Sequence, residues 1–259
     1  MASDADRAGT DGAATGHAGI AAPSRGATAE RATAVAEVRA SYATPAALDV
    51  YRRRVDNGLR TWEATIAARH VPAAARILTV GCGAGRETFA LEQRGHDTVG
   101  VDISPPLLAI ARELAAQRHY RATFHMTDGA ILPFDDASFD VVTLWAQMLD
   151  NVPSHHGRVA FLREVRRVLR TGGVATYSVH DDERTRPTLD PAAILSADSP
   201  ERGDLVLHER REDAVRYVHY FTRDELLRLG VDAGFSASIL CHTSDLGEPW
   251  DNVFVGVCR

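Results

Sequence analysis

The sequence predicts an α/β protein of the doubly wound kind, a mostly parallel sheet with helices on both faces. Short apolar segments and amphipathic stretches take turns between about residues 76 and 180, the order that builds a parallel sheet. A glycine-rich turn, Gly81-Cys82-Gly83-Ala84-Gly85, joins the first of those strands to the first helix. Two last apolar segments, about 236–242 and 252–258, are linked briefly, so the final pair is expected to be antiparallel. The 259 residues suffice for one large domain with a real core.

In chain order, residues 1–33 are Ala- and Gly-rich with almost nothing to bury and read as a disordered tail. A helical pattern over about 34–72 carries Tyr42, Leu48, Tyr51, Val55, Leu59 and Trp62 and closes at Pro72. Strands are expected at 76–81, 97–102, 122–126, 139–145 and 173–180, with helices at 84–94, 105–118 and 155–170 among them. The last of these helices puts Phe161, Leu162, Val165, Val168 and Leu169 on one stripe, with Thr171-Gly172-Gly173 expected as its left-handed stop. An inserted segment follows at about 181–221, polar at first and then a hairpin over 205–211 and 214–221. Thr222-Arg223-Asp224-Glu225 is a capping box that starts a helix ending near Gly234.

Hydrophobic residues make up 45% of the chain and charged residues 25%, and no stretch approaches the ~18 apolar residues of a membrane span. The balance of 29 basic against 35 acidic residues leaves −6, which argues against nucleic acid or anionic lipid as partners and favours small molecules. Every basic residue is Arg. The absence of Lys excludes Schiff-base chemistry, a pyridoxal-phosphate site and a phosphate loop with its usual Lys. Cys82, Cys241 and Cys258 are far apart and odd in number, which supports neither a disulfide framework nor a C-x-x-C pair and suits a reducing cytoplasm.

The strongest chemical signal is the turn that holds Gly81, Gly83 and Gly85. Its glycines let the backbone turn sharply and approach a nucleotide-like ligand closely at the start of a helix. A dinucleotide fingerprint would place its third glycine at position 86, where Arg86 stands. The second strand ends in Asp102, 21 residues after Gly81, where a carboxylate can accept from both hydroxyls of a ribose. The third ends in Thr127-Asp128-Gly129-Ala130, with a carboxylate placed for an adenine amino group.

With these motifs in this order, the chain resembles the class I S-adenosylmethionine-dependent methyltransferases, over about Ile77 to Val179 and in the closing strands. The resemblance implies a Rossmann-like sheet of seven strands with an antiparallel final strand, and S-adenosyl-L-methionine as cofactor. It also implies roles: Gly81, Gly83 and Gly85 along the methionine part, Asp102 on the ribose, Asp128 and Gly129 at the adenine, Ile103 and Ala130 on either side of the ring. Two places depart from the family's pattern. Thr79 stands where members usually carry an acid for the cofactor's amino group, and Leu149-Asp150-Asn151-Val152 stands where many carry a His.

Acceptor-side residues are expected after strands four and five. Trp145 either packs on the sulfonium side or belongs to the core. His180 is the base candidate, or hydrogen-bonds a loop; Asp150 either steers a cationic amine or caps the turn before Pro153. Tyr42 and Tyr51 belong to a lid over the cofactor or to the core, and Tyr217 and His219 share one hairpin face, with Tyr220 nearby as a further pocket candidate. His155 and His156 begin a helix without further ligands at metal spacing, so no metal is expected. Arg52-Arg53-Arg54 and Arg163, Arg166, Arg167 and Arg170 read as solvated helix faces. The expected function is methyl transfer to nitrogen or oxygen of a small metabolite. A non-catalytic binding or partner module is the alternative, and an RNA methyltransferase is less favoured.

Overall fold

The computed structural model describes residues 35–197, 201–209 and 214–259. The expected tail at 1–33 lies outside them, as does the turn of the hairpin at 210–213. The expected helical run over 34–72 divides into α1 (residues 35–41), α2 (Pro45–Arg54) and α3 (Thr61–His70). Local chemistry sets the breaks. Thr44 caps α2, its Oγ1 accepting from Ala47 N at 3.1 Å, and Pro45 sits in the first turn where no intrahelical N–H is needed. Gly58, at φ 62°, turns the chain between α2 and α3.

The alternating region then runs β1 (Arg76–Val80), α4 (Arg86–Glu92), β2 (Asp97–Asp102), α5 (Pro105–Arg118), β3 (Thr123–Met126), β4 (Phe139–Leu144), α6 (His155–Val168) and β5 (Leu169–His180). After a short α7 (Asp182–Thr185) come β6 (Ile194–Ser196), β7 (Asp204–Glu209), β8 (Ala214–His219), α8 (Arg223–Asp232), β9 (Ser238–His242) and β10 (Val253–Cys258). Seven strands form one sheet in the order β3-β2-β1-β4-β5-β10-β9, with β10 antiparallel to both neighbours and β1 to β5 mutually parallel. The order reverses between β1 and β4, which opens a crevice at the carboxyl ends of those strands.

Alternate residues of the strands feed two opposite cores. Leu78, Val80, Val142 and Leu144 pack with Phe161, Leu162 and Val165 of α6, while Ile77, Val141, Val255 and Val257 pack with Trp62 and Ile66 of α3. The glycines at 172 and 173 do not stop α6, which ends at Val168. They lie inside β5, where pairing with β4 slips a register, and a Cβ on Gly173 would come within 2.8 Å of Arg170 O. They serve a bulge, with Gly172 at φ 78°.

In β10, Gly256 pairs with Tyr177, whose ring lies across it, and a Cβ there would stand 2.0 Å from Tyr177 Cζ. Gly256→Ala should therefore lower stability by about 1–3 kcal/mol, the range for overpacking, as read from urea midpoints.

Strands β6, β7 and β8 form a separate antiparallel sheet, held to α6 and α8 by a buried polar network. Arg158 of α6, fully buried, donates to Val152 O at 3.1 Å and to Glu201 and Glu225. His219 bonds Asp204 at 2.6 Å and Glu225 at 2.9 Å, and Tyr217 Oη donates to Asp204 at 2.5 Å. Glu201, His219 and Glu225 are close enough to suit a metal, but the Arg158 guanidinium already supplies the cation between the two glutamates. Burial disfavours a charged His219, yet Asp204 and Glu225 override it and raise its titration above the ordinary histidine range. Its ion-pair stabilisation is thus complete below that ordinary range and lost as the pH climbs through the raised value. The melting-temperature advantage of the chain over its His219→Gln variant should shrink across that window.

Candidate functional site

The crevice holds one cleft with an apolar inner part and a polar outer part, both touching Gly81 and Gly83. Gly81, Gly83 and Gly85 all take positive φ, 68°, 52° and 97°. A Cβ on Gly81 would stand 2.4 Å from Met148 Cγ, and one on Gly83 3.4 Å from Tyr51 Cδ1, so bare backbone forms the floor. Gly85 does different work: a Cβ there would meet Phe89 at 2.7 Å and Phe124 at 3.2 Å, which places this glycine against the core and off the cleft.

Asp102, buried at the end of β2, pins this turn. Its Oδ2 accepts from Gly83 N at 2.8 Å and its Oδ1 from Ser104 N at 2.8 Å. Burial raises its titration, opposed by the N–H groups of Ser104, Gly83 and Ile103. The carboxylate keeps accepting capacity beyond these N–H groups, and the residue lines the cleft.

Ile103, Thr127 and Gly129 line the inner part, with Val35, Tyr42 and Tyr51 from α1, the turn after it and α2 above them. Asp128 and Ala130 do not line it. The Asp128 side chain is turned into its own loop, Oδ1 accepting from Ala130 N at 2.7 Å and Ile131 N at 2.9 Å. Trp145 is a core residue and not a cofactor contact: it is 2% exposed, its indole N–H donates to Thr176 Oγ1 at 2.8 Å, and its ring meets Trp62 edge-on. The chain leaves β4 through Ala146 and Gln147, both in left-handed conformation at φ 52° and 59°, strain of the kind that clusters at functional sites. That turn carries Asp150 to the cleft.

Asp150 does not cap the turn before Pro153; Ser154 Oγ caps α6, accepting from Gly157 N at 3.1 Å. Instead Asp150 Oδ2 meets His180 Nδ1 at 2.6 Å and lies 3.3 Å from His180 N. Asp150 is 1% exposed, its Oδ1 has no partner among the described residues, and burial raises its titration while His180 opposes the rise. An ionised Asp150 only accepts, so in that state the contact needs the hydrogen on His180 Nδ1 and leaves the Nε2 lone pair of a neutral ring. His180 and Asp150 line the outer part together with Asn151, Arg54, Arg60 and Glu87. On the hairpin, Tyr217 and His219 do share a face, but it turns to Asp204; Arg216 and Val218 of the other face line the cleft. Tyr220 lies against the His180 ring, centroids 5.2 Å apart.

Residues 77–173 match the family model described as a methyltransferase domain. The chain has the class I methyltransferase fold, and residues 77–173 are similar to that domain. A demethylmenaquinone methyltransferase of Tropheryma whipplei is 40% identical to this chain over 103 residues, 40% of this chain and 41% of that one. A ubiquinone biosynthesis O-methyltransferase of Psychrobacter arcticus is 30% identical over 164 residues, 62% and 59% of the two chains. The matched part thus falls short of two thirds of either relative. Among solved structures, a SAM-dependent methyltransferase of Methanosarcina mazei superposes with a TM-score of 0.60 at 24% identity, covering 74% of this chain and 94% of that one. The CcbJ methyltransferase of Streptomyces caelestis gives 0.60 at 20% identity, covering 77% and 88%. These likenesses establish the fold. S-adenosylmethionine is the cofactor of the family, and the bare-backbone floor at Gly81 and Gly83 and the remaining accepting capacity of Asp102 fit it.

Proposed function

We propose that this chain methylates a hydroxyl group of a small molecule, using S-adenosylmethionine, with His180 as general base and Asp150 as the residue that positions it. The observation that carries the reading is the 2.6 Å contact from a buried carboxylate to His180 Nδ1 beside the glycine turn. When bound, the cofactor supplies a methyl group on a positively charged sulfur, already electrophilic. The protein's part is alignment, exclusion of water and removal of one proton, and alignment alone contributes up to ~7–11 kcal/mol in well-oriented systems.

His180 Nε2 would take the acceptor's hydroxyl proton as its oxygen gains the methyl group that the bound cofactor would supply. Asp150 keeps the imidazole in the tautomer that can do this and offsets the charge it gains, as a buried carboxylate does for a catalytic histidine elsewhere. Asp102 would hold the ribose and the glycine turn the amino-acid end. Helices α1 and α2, bringing Val35, Val38 and Tyr51 over the inner part, act as the lid. The Psychrobacter relative is named as an O-methyltransferase, which agrees with an oxygen acceptor. No helix of the described residues is long and apolar enough to cross a membrane, and we take the acceptor to be a small molecule met in the cytoplasm.

The test is labelled-methyl transfer by the full chain to matched panels of phenols, alcohols and amines. Turnover confined to amines would overturn the hydroxyl assignment, and cofactor binding without turnover on any acceptor would favour a binding module.

A further inference from the structure

One charged wall of the cleft is not used by the proposed reaction. At the start of α4, Arg86 donates from Nη2 to Glu63 Oε1 at 2.6 Å and from Nη1 to Glu63 Oε2 at 2.7 Å, and it also bonds Glu87 Oε1. The three side chains are nearly enclosed, Glu63 at 0%, Glu87 at 10% and Arg86 at 12% exposed. Two carboxylates share one guanidinium, so the group holds a surplus negative charge in a poorly solvated place. Glu63 is fully engaged, since its Oε2 also accepts from Arg60 N at 2.7 Å. Glu87 bonds no side chain except Arg86 among the described residues, and it lines the cleft beside Gly81, Cys82 and Gly83.

Burial raises the Glu87 titration, Arg86 opposes the rise and Glu63 adds to it, the condition of an anion short of counter-charge. The other cations that line the cleft sit over aromatic rings, Arg54 over Tyr51 at 5.5 Å, Arg60 over Trp250 at 5.8 Å and Arg216 over Tyr42 at 4.2 Å. Thr79, at the position where the resemblance leads one to expect an acid, faces the core, with its hydroxyl 2.6 Å from Thr88 Oγ1 and 3.3 Å from Val99 O.

Resting on the cofactor reading above, we propose that Glu87, positioned by Arg86, binds the α-ammonium of S-adenosylmethionine and so does the work that Thr79 does not. A ligand cation at Glu87 balances the surplus charge. The glycine turn next to it is where the amino-acid end of the cofactor lies in that reading.

The test is calorimetric titration of the full chain with S-adenosylhomocysteine and with its desamino counterpart, in which hydrogen replaces the amino group. The unaltered chain should bind the desamino ligand about 10- to 100-fold more weakly, the range for one hydrogen bond to a charged group. Glu87→Gln should lose a similar factor for S-adenosylhomocysteine and almost nothing for the desamino ligand. Equal losses for both ligands, or no loss for either, would overturn the Glu87 assignment and leave the cofactor reading standing. Equal affinity of the unaltered chain for the two ligands would overturn it without reliance on a variant that must fold. Failure of the unaltered chain to bind either ligand would remove the cofactor reading itself.

Discussion

Asp102→Ala should weaken binding of S-adenosylhomocysteine by ~10² to 10⁴, from two lost hydrogen bonds to a charged acceptor at ~1.5–3 kcal/mol each. The structure adds a second consequence. The same carboxylate accepts from Gly83 N and Ser104 N, both at 2.8 Å, so its removal leaves two buried N–H groups without their partner. Each such orphan costs ~1–3 kcal/mol, and the variant should also melt earlier. Asp102→Asn separates the two effects. Its amide oxygen can still accept from one of the two N–H groups, so stability should recover in part, while the loss of charge keeps affinity low. Acidification should weaken binding as well, and at a higher pH than for an exposed aspartate, because burial raises the Asp102 titration. Unchanged calorimetric affinity in Asp102→Ala would remove the ribose assignment.

The part of this site that could be read from the sequence is the part built by local spacing. Gly81, Gly83 and Asp102 follow from a strand-turn-helix and the end of the next strand, and parallel pairing of β1 with β2 brings Thr79 beside Gly100 and Val80 beside Val101, so the two strand ends meet. The antiparallel β10 was legible because a short link cannot cross over. Gly172 and Gly173 misled because a glycine pair after an amphipathic stripe fits a helix stop as well as a strand bulge; the partner strand β4 decides, and it lies 30 residues away in sequence at Asp140, whose carboxylate takes Arg170.

On the acceptor side His180 and Asp150 could be named as candidates, but their pairing and the fate of Trp145 could not be read, for a different reason. Which residues after β4 face the cleft depends on the left-handed pair Ala146 and Gln147, and nothing in an Ala-Gln step announces positive φ. With that turn in place Trp145 stays in the core beside Trp62 and Asp150 swings under His180. The hairpin shows the same limit. Alternation correctly put Tyr217 and His219 on one face, but the choice of face belongs to Asp204, Glu225 and the buried Arg158, brought together from three separate elements. Arg216 and Val218 were missed for that reason. Glu87 follows the glycine turn by two residues, yet its significance needs Glu63 on another helix to create the surplus charge.

The acceptor side also yields the most demanding expected result. His180→Ala should lower turnover by ~10² to 10⁴ with little change in cofactor affinity, the range for a lost general base. Asp150→Asn should approach the same loss without touching the cofactor, because an amide facing Nδ1 no longer fixes the tautomer that leaves Nε2 open. Stability gives the contrast. Asp150 Oδ1 is buried with no partner among the described residues, and burial disfavours the charge, so the neutral isostere Asp150→Asn should melt at the same temperature as the parent or above it while turnover falls. Loss of both together would mean that Asp150 holds the fold and not the base. The pH profile then separates hydroxyl from amine acceptors. Neutral imidazole is the competent form, so parent activity should rise with pH, and the rise should vanish in His180→Ala at its residual rate. An amine acceptor brings its own deprotonation and keeps the rise. Should the profile persist unchanged in His180→Ala at near-normal turnover, the base role is wrong and His180 belongs to the pocket wall, paired with Asp150 only to seat β5 against the turn after β4.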